Sequence, residues 1–406
     1  MTRLSISKRG TTMPASAMRK LEPMADAAKA RGVRVIHLNI GQPDIETPSE
    51  FWEAVSDFPE RTLAYGPSAG RAECIEGMLD YYARFDIPLT AEQIVITTAG
   101  SESLLFALMV CCDAGDKVIV PEPFYSNYAG LAAMACLEVV PFTTYAADGY
   151  HLPPREEIEK LIDGRTRAIL YSSPGNPTGV VYTPEEVAML GDIARTHNLF
   201  LMADEAYREL TYDGPVATSA LHLPDMEEHV IVLDSVSKRF SACGARIGCV
   251  ISHNETVMEA IIKLAMARLS APVLEQIGAA ACLLHTPDSY FEEVREEYTR
   301  RRNIVHARLN QMEGVYSPKP AGAFYAMAKI EDVNAEDFAR WLLTDFEENG
   351  ETVMVSPGAG FYSTPGLGCD EIRIAYVLET DVLSRAMDLL AAAIHRYRQE
   401  QTAGTQ

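Results

Sequence analysis

The sequence lacks several features that mark common classes of protein. No apolar stretch in its 406 residues approaches the roughly 18 residues of a membrane-spanning helix. Positive charge is scarce, since Lys and Arg total 35 against 57 Asp and Glu, for a net charge of −22. This balance argues against general binding to nucleic acids or anionic membranes, although it permits a local phosphate site. The N-terminal residues contain no apolar central region, so no secretory signal is expected and a cytoplasmic location is predicted.

Metal and nucleotide motifs are also missing. The eight cysteines form no CxxC pair and show no metal-ligand spacing, which predicts reduced thiols and no bound metal. There is no Walker loop, no HExxH motif and no internal repeat, and GAGFYS at 358–363 departs from the GxGxxG of dinucleotide sites. With 48% hydrophobic and 23% charged residues, the composition is that of an ordinary globular protein, long enough for two or three domains.

The stretch at 230–252, VIVLDSVSKRFSACGARIGCVIS, contains the residue around which the other motifs can be arranged. Apolar runs at both of its ends predict two buried strands, so Lys238 is expected on a loop between them. Ser235 and Ser237 precede the lysine and Arg246 follows it, which supplies hydroxyl and guanidinium groups suited to a phosphate. An amine nucleophile beside an anion site suggests a covalently held, phosphorylated aldehyde.

SVSK followed by GxRxG resembles the cofactor-lysine segment of the pyridoxal-phosphate-dependent aminotransferases of class I/II, the aspartate aminotransferase superfamily. Four further motif matches extend the resemblance over nearly the whole chain. It implies pyridoxal 5′-phosphate held by Lys238 and a homodimer with shared active sites. It also implies an α/β fold of type I, in which a three-layer large domain with a mostly parallel central sheet is joined to a smaller α+β domain built from both chain ends. The predicted boundaries are an N-terminal arm with part of the small domain at 1–50, the large cofactor-binding domain at 51–295 and the small C-terminal domain at 296–406.

The resemblance assigns two further segments to the cofactor phosphate. In AGSES, the backbone of Gly100, Ser101 and Glu102 opens an apolar helix whose free N–H groups suit an anion, and plain capping by Ser101 is the alternative. Only the main-chain N–H of Glu102 is assigned. Tyr65, in a YxxxxG match, corresponds to a tyrosine that reaches the phosphate of the neighbouring subunit, and ordinary packing is the alternative. Dimerisation would then be part of the active site.

Four residues are assigned by the resemblance to the cofactor ring. Asp204 ends an apolar strand, where an unpaired carboxylate is costly, and it matches the aspartate at the pyridine nitrogen; an ordinary ion pair is the alternative. Tyr207, in the DExY match, and Asn176, in NPTG, are assigned to the phenolic oxygen, although NPTG could be only a turn. Tyr125 is assigned to stacking on the ring, with a core tyrosine as the alternative.

The substrate carboxylate is assigned to two segments at opposite ends of the chain. Arg373 lies within the apolar strand EIRIAYV and matches the arginine that pairs with the α-carboxylate, while a structural salt bridge is the alternative. Gly41, in IGQPD, matches a turn whose backbone approaches the substrate, and an ordinary turn is the alternative. Asn176 and Tyr125 are expected to contact the substrate as well.

The expected reaction is amino transfer by a ping-pong mechanism through an imine of Lys238, with Asp204 and Tyr207 as the other catalytic residues. Aspartate is the first candidate for the amino donor and 2-oxoglutarate for the acceptor. Where some aspartate enzymes place a lysine for the distal carboxylate this chain has Ser101, so Arg268 of the neighbouring subunit is a candidate replacement, unless it is only an exposed helix arginine. The same motifs are compatible with an aminotransferase for aromatic or different amino acids, with a lyase or decarboxylase on the same fold, and with a non-catalytic cofactor sensor.

Overall fold

The structure is a computed structural model that describes residues 4–14, 19–214 and 216–404, so residues 1–3 and 15–18 of the predicted N-terminal arm lie outside the described residues. The helices are α1 (Lys8–Thr12), α2 (Glu22–Ala30), α3 (Ser49–Ser56), α4 (Ala72–Ala83), α5 (Ala99–Cys111), α6 (Asn127–Met134), α7 (Arg155–Glu159), α8 (Pro184–Thr196), α9 (Val236–Arg239), α10 (Glu255–Arg268), α11 (Val273–His285), α12 (Asp288–Leu309), α13 (Ala335–Thr344) and α14 (Thr380–Gly404). The strands are β1 (Arg34–His37), β2 (Ile94–Thr98), β3 (Lys117–Glu122), β4 (Glu138–Thr143), β5 (Thr166–Ser172), β6 (Phe200–Asp204), β7 (Val230–Ser235), β8 (Ile247–Ile251), β9 (Val315–Tyr316), β10 (Tyr325–Ile330), β11 (Glu351–Met354), β12 (Ser356–Pro357) and β13 (Glu371–Ala375).

Seven strands form the central sheet, in the order β2-β8-β7-β6-β5-β3-β4. The pairs are parallel except for the two that include β8, which runs against β2 and β7. Both faces are covered, because successive residues of one strand join different hydrophobic clusters. In β7, Val230 and Val232 pack with residues of α4, α8 and α11, whereas Ile231 and Leu233 pack with residues of α5 and α10. The continuously apolar sequence of β7 follows from this double burial. The predicted three layers around a mostly parallel sheet are thus confirmed.

A second, smaller unit is built from both ends of the chain. Its hydrophobic cluster contains residues of α2 and β1 together with residues of α12, α13 and α14. β1 pairs in parallel with β11, and a separate four-stranded sheet has the order β12-β13-β10-β9. The predicted smaller α+β domain is therefore confirmed as part of the fold class. The boundaries at 50 and 295 stay a prediction, and α12 runs unbroken through the second of them.

The carboxyl ends of β5, β6 and β7 meet at one edge of the central sheet. Ser172 lies opposite Asp204, and Asp204 lies opposite Leu233 near the end of β7. β2 ends at the same edge, because Thr98 lies opposite Ile247 at the start of the antiparallel β8. Ligands of open α/β sheets bind beyond the carboxyl ends of the strands, so a binding site is expected at this edge.

The described ranges contain neither a candidate membrane-spanning helix nor a candidate metal site. No helix there is both long enough and apolar enough to cross a membrane. No group of three or more His, Cys, Asp or Glu side chains within those ranges is arranged to hold a metal ion.

Candidate active site

Lys238 lies on α9, a single helical turn that follows β7 directly. The sequence predicted a loop here, and that detail was wrong: the Ser235 side chain accepts a hydrogen bond from the Ser237 N–H at 3.2 Å and caps a helical turn. The ε-amine of Lys238 donates to the Gly41 carbonyl at 2.9 Å and lies 3.3 Å from the Cys243 sulfur. Neutral groups therefore hold the amine, and no carboxylate within the described ranges forms an ion pair with it.

Hydroxyl groups and a helix start come together beside this turn. Ser235 Oγ lies 2.8 Å from Ser237 Oγ. The helix α5 begins at Ala99, immediately after β2, and a Cβ built on Gly100 would lie 3.7 Å from the Ser235 Cβ. Ser101 and Glu102 follow in the same first turn. The structure thus places the N–H groups of a helix start next to hydroxyls, a combination that suits a phosphate.

The GxRxG motif follows the lysine turn and leads into β8. Arg246 has a left-handed backbone with φ of 55°, and its exposed guanidinium donates to the Cys243 carbonyl at 2.9 Å. Gly248 is enclosed by backbone: a Cβ built on it would lie 2.6 Å from the Asp234 carbonyl oxygen and 2.7 Å from the Gly100 nitrogen. A side chain at this position would therefore push the start of α5 away from the end of β7.

Gly248→Ala should destabilise the protein by about 1–3 kcal/mol, the usual cost of forcing an extra methyl group into a packed interior. The atoms in its way belong to backbone, which cannot rotate aside. Urea unfolding measures the loss. Gly244→Ala, in the same motif, is the matched control, because a Cβ there would meet nothing within 4 Å. Equal losses in the two variants would contradict the expected clash.

Asp204 ends β6, and neutral groups bind its carboxylate. Oδ2 accepts a hydrogen bond from the Tyr128 hydroxyl at 2.6 Å, and Oδ1 accepts one from the Ala206 N–H at 3.2 Å. Burial raises the pKa of Asp204, while the Tyr128 hydrogen bond acts in the opposite direction. In the part of the chain that the structure describes, Asp204 forms no ion pair, so the ordinary salt bridge considered as its alternative is not seen. Tyr128 was not predicted as a site residue, although it follows Tyr125 by three residues in the sequence.

Tyr207 contacts a second tyrosine, Tyr325, which was also not predicted as a site residue. Its hydroxyl lies 2.8 Å from the Tyr325 hydroxyl, and both side chains are buried. A Cβ built on Gly41 would lie only 1.9 Å from the Tyr325 hydroxyl, so the chain at Gly41 approaches this pair as closely as a glycine allows. Burial raises the pKa of Tyr207 well above its usual value, which keeps its hydroxyl protonated as a hydrogen-bond donor. Nothing in the local sequence of Tyr325 distinguished it from a core tyrosine.

Arg373 lies in the middle of β13 and reaches toward the large domain. It donates to the Asn176 side-chain oxygen at 3.0 Å and to the Asn39 carbonyl at 2.6 Å. The rings of Tyr325 and Phe361 lie 4.5 Å and 4.9 Å from its guanidinium carbon. The structure thus brings Arg373 and Asn176 together, as expected for two residues that share a ligand.

Glu102 and Arg268 form an ion pair within one chain. Arg268 Nη1 lies 2.9 Å from Glu102 Oε2, which also accepts the Thr98 N–H at 2.7 Å, and Nη2 donates to the Ser68 carbonyl at 3.0 Å. Arg268 is therefore neither the exposed helix arginine nor a cation without a partner. A role on the distal carboxylate of a substrate would require this pair to break. Because Thr98 is the N-cap of α5, the Glu102 carboxylate lies beside the start of this helix, where Arg268 balances its charge.

The two remaining aromatic residues lie in different surroundings. Tyr125 is half-buried, lies edge-on to Tyr128 with 5.6 Å between the ring centroids, and lines a cleft with Asn176. Tyr65 is 82% exposed and lines a shallow groove with Thr98, at the end of β2. Its exposure fits a side chain that contacts something outside its own chain.

Comparison with known proteins identifies the family. A family model described as aminotransferase class I and II matches residues 33–390. The chain belongs to this family. It is 30% identical over 405 residues to the aspartate aminotransferase of Bacillus subtilis, which covers 97% of this chain and 100% of that protein. It is 31% identical over 394 residues to the aromatic-amino-acid aminotransferase 2 of Thermococcus litoralis, covering 95% of this chain and 97% of that protein.

Solved aminotransferase structures share the whole fold. The alanine aminotransferase from Pyrococcus furiosus matches with a TM-score of 0.88 at 29% identity, over 97% of this chain and 100% of that one. The chain is therefore a transaminase, as the five motifs implied. The three relatives carry the names of three different donors, so their names do not select one for this aminotransferase.

Proposed function

We propose that this aminotransferase holds pyridoxal 5′-phosphate on Lys238 and moves an amino group between an L-amino acid and a 2-oxo acid. The observation that carries the proposal is the Asp204 carboxylate, which lies at the same sheet edge as the lysine turn and is bound by neutral donors. Within the described residues, this carboxylate has no cationic partner. A pyridinium nitrogen would supply that cation.

The donor set at the edge fits the other parts of that cofactor. The Ser235 and Ser237 hydroxyls, the N–H groups at the start of α5 and the Arg246 guanidinium would bind its phosphate. The side chains of Asn176 and Tyr207 would donate to its phenolic oxygen, and Tyr125 would cover one face of its ring. These roles rest on the family resemblance together with the proximity of the groups.

The chemistry divides between the bound group and the protein. Pyridoxal phosphate supplies, when bound, an aldehyde that bonds to amines and a ring that accepts an electron pair. The ε-amine of Lys238 would take the proton from the substrate Cα and deliver it to the cofactor carbon that carried the aldehyde, acting as general base and then as general acid. Asp204 would keep the ring nitrogen protonated, and Tyr207 would hold the ring oxygen.

Arg373 and Asn176 would orient the substrate. The planar guanidinium can pair with the α-carboxylate through two parallel hydrogen bonds, and the rings of Tyr325 and Phe361 already lie against it. The turn at Gly41 brings main chain to the same place, since Lys238 donates to its carbonyl. Fixing the carboxylate sets the direction of the Cα–H bond, which is an orientation effect on the rate.

Arg373→Lys should raise KM for both the amino donor and the 2-oxo acid by about 10²-fold. An ammonium cannot form the bidentate hydrogen bonds of a guanidinium with a carboxylate, and it leaves buried polar groups of the site without hydrogen bonds. The value of kcat should fall less than KM rises. Steady-state kinetics with each substrate varied in turn measures both. Arg246→Lys is the comparison, since it should weaken cofactor binding and leave KM nearly unchanged. A rise in KM confined to the donor would contradict the shared carboxylate site.

Aspartate with 2-oxoglutarate is the first candidate pair, following the resemblance to the aspartate enzymes. One observation favours an uncharged donor instead: position 101 is a serine, and the nearby cation, Arg268, is paired with Glu102 at 2.9 Å. Single-turnover reactions with a panel of amino donors, followed by loss of the visible absorption of the imine, separate the two. A fast response to aspartate and glutamate alone supports the first, and a faster response to phenylalanine or alanine supports the second. Release of 2-oxo acid without an amino acceptor would show a lyase instead.

A homodimer with shared active sites is part of the proposal. Leu63 and Tyr65 are 60% and 82% exposed beside the groove at Thr98, which adjoins the first turn of α5. A second copy covering these side chains would place Tyr65 near the phosphate of its partner. The cytoplasmic location stays a prediction from the sequence.

A further inference from the structure

Beneath the site lies a group of buried charged residues that the proposed reaction does not use. The members are exposed by only a few per cent: Asp234 0%, Arg239 3%, Glu205 2%, Arg208 2% and Glu209 6%. Removing charges from water is costly, and ion pairs repay that cost only with good geometry. The burial of five charged side chains next to the candidate site suggests that they serve a function.

The placement of these charges follows the backbone of the site. Asp234 precedes Ser235 and Arg239 follows Lys238, so the lysine turn lies between two charged residues of the group. Side chains alternate along a strand, so Asp234 shares the face of β7 on which Val230 and Val232 pack. Leu233 lies on the opposite face. The same backbone thus presents site residues at the edge and charges beneath it.

Asp234 and Arg239 join the two ends of the lysine turn. Asp234 Oδ2 accepts hydrogen bonds from Arg239 Nη2 at 2.8 Å and from the Tyr82 hydroxyl at 3.0 Å, and Oδ1 accepts the Ser235 N–H at 2.6 Å. The Arg239 guanidinium carbon also lies 3.8 Å from the centroid of the Tyr81 ring. We refer to Asp234, Arg239 and Tyr82 as the Asp234 clamp.

The turn needs such a contact to have a fixed direction. A helix of four residues has too few internal hydrogen bonds to be stable alone, so its orientation must come from tertiary contacts. In the described structure, Arg239 Nε and Nη1 are buried without a hydrogen-bond partner, which leaves Asp234 as the acceptor that holds this guanidinium. Loss of the clamp would release the segment that carries Ser235, Ser237 and Lys238.

We propose that the Asp234 clamp positions the lysine turn, and thereby sets how firmly the enzyme holds its cofactor and how the visible band of the holoenzyme responds to pH. The proposal rests on the proposed function of Lys238. Asp234, Arg239 and Tyr82 are positioning residues, since none of them touches the cofactor or the substrate. They act through the direction of α9 and through the Ser235 N–H, which Asp234 binds at 2.6 Å.

Two adjacent tyrosines of α4 provide a matched test. Tyr82 and Tyr81 are 0% and 2% exposed, and each donates one hydrogen bond to a buried carboxylate, Tyr82 to Asp234 at 3.0 Å and Tyr81 to Glu209 at 2.8 Å. Tyr82→Phe removes a bond of the clamp. Tyr81→Phe removes an equivalent bond outside it and keeps the ring on which Arg239 lies. Both variants should lose similar thermal stability.

Cofactor retention should separate the two variants. The cofactor should dissociate from the Tyr82→Phe holoenzyme about three- to tenfold faster than from the wild type. This range is smaller than the full effect of losing a hydrogen bond to a charged group, because only part of that loss should reach the cofactor site. The midpoint of the pH titration of the visible band should move in Tyr82→Phe and stay in Tyr81→Phe. Arg239→Lys should retain the cofactor better than Arg239→Met, because it keeps a cation at Asp234.

Three outcomes decide the matter. If the wild type holds a cofactor that borohydride traps at Lys238, and the dissociation rate and titration midpoint change in Tyr82→Phe alone, the clamp is supported. If the wild type behaves so but both tyrosine variants match it, or each other, the clamp is overturned and the proposed function stands. If the wild type yields no trapped cofactor at Lys238, both proposals fall.

Discussion

Lys238→Ala should lower the rate of transamination by about 10⁴-fold or more, because the proposed base and imine-forming nitrogen are lost together. The variant should also be colourless after incubation with pyridoxal phosphate, and borohydride should fix no cofactor to it. Single-turnover absorbance and mass spectrometry of reduced peptides measure these results. Folding should be retained, since Lys238 is only half-buried and its hydrogen bonds go to the Gly41 carbonyl and the Cys243 sulfur.

Two further variants make this result specific. Lys238→Arg keeps a positive charge at the turn but cannot form the imine, so it should be as inactive as the alanine variant. Lys263→Ala, at an exposed position of α10, should leave activity unchanged. Trapping of the cofactor on another lysine, or activity within a factor of ten of wild type in Lys238→Ala, would refute the assignment.

Asp204→Asn should lower kcat by about 10²–10³-fold, the effect seen when one preorganised electrostatic group is removed from an active site. Asparagine keeps the size of the side chain and can still accept the Tyr128 hydrogen bond, which is 2.6 Å long in the native protein. It carries no negative charge, so it cannot hold the proton on the ring nitrogen. Cofactor binding should weaken less than kcat falls, because the residues proposed to bind the cofactor phosphate are unchanged.

Tyr128→Phe tests the same carboxylate through its pKa. Burial raises the pKa of Asp204 and the Tyr128 hydrogen bond lowers it, so removal of the hydroxyl should raise that pKa further. The carboxylate is then protonated at a higher pH, and the acid limb of kcat/KM should move to higher pH while the alkaline plateau remains. A pH profile identical to that of wild type would show that Asp204 does not set the acid limb.

Much of this site could be predicted because its residues occur in short motifs with a local physical meaning. A carboxylate after an apolar strand, as at Asp204, signals the carboxyl edge of a sheet, and AGSES after β2 signals a helix start that can bind an anion. The strand that carries Arg373 was also recognisable from its apolar run. The domain boundaries were less accessible, because α12 continues through the boundary expected at 295.

The sequence by itself determined the family and the motif residues, since each depends on residues close together in the chain. Tertiary structure alone decided the contacts between distant segments: Tyr128 on Asp204, Arg268 on Glu102, and Tyr82 on Asp234. Two such side chains come into contact only when the chain folds, and the hydrophobic periodicity of the sequence does not predict which distant side chains will do so. Hydrogen bonds and ion pairs depend on distance and angle in space, whereas a motif records only separation along the chain.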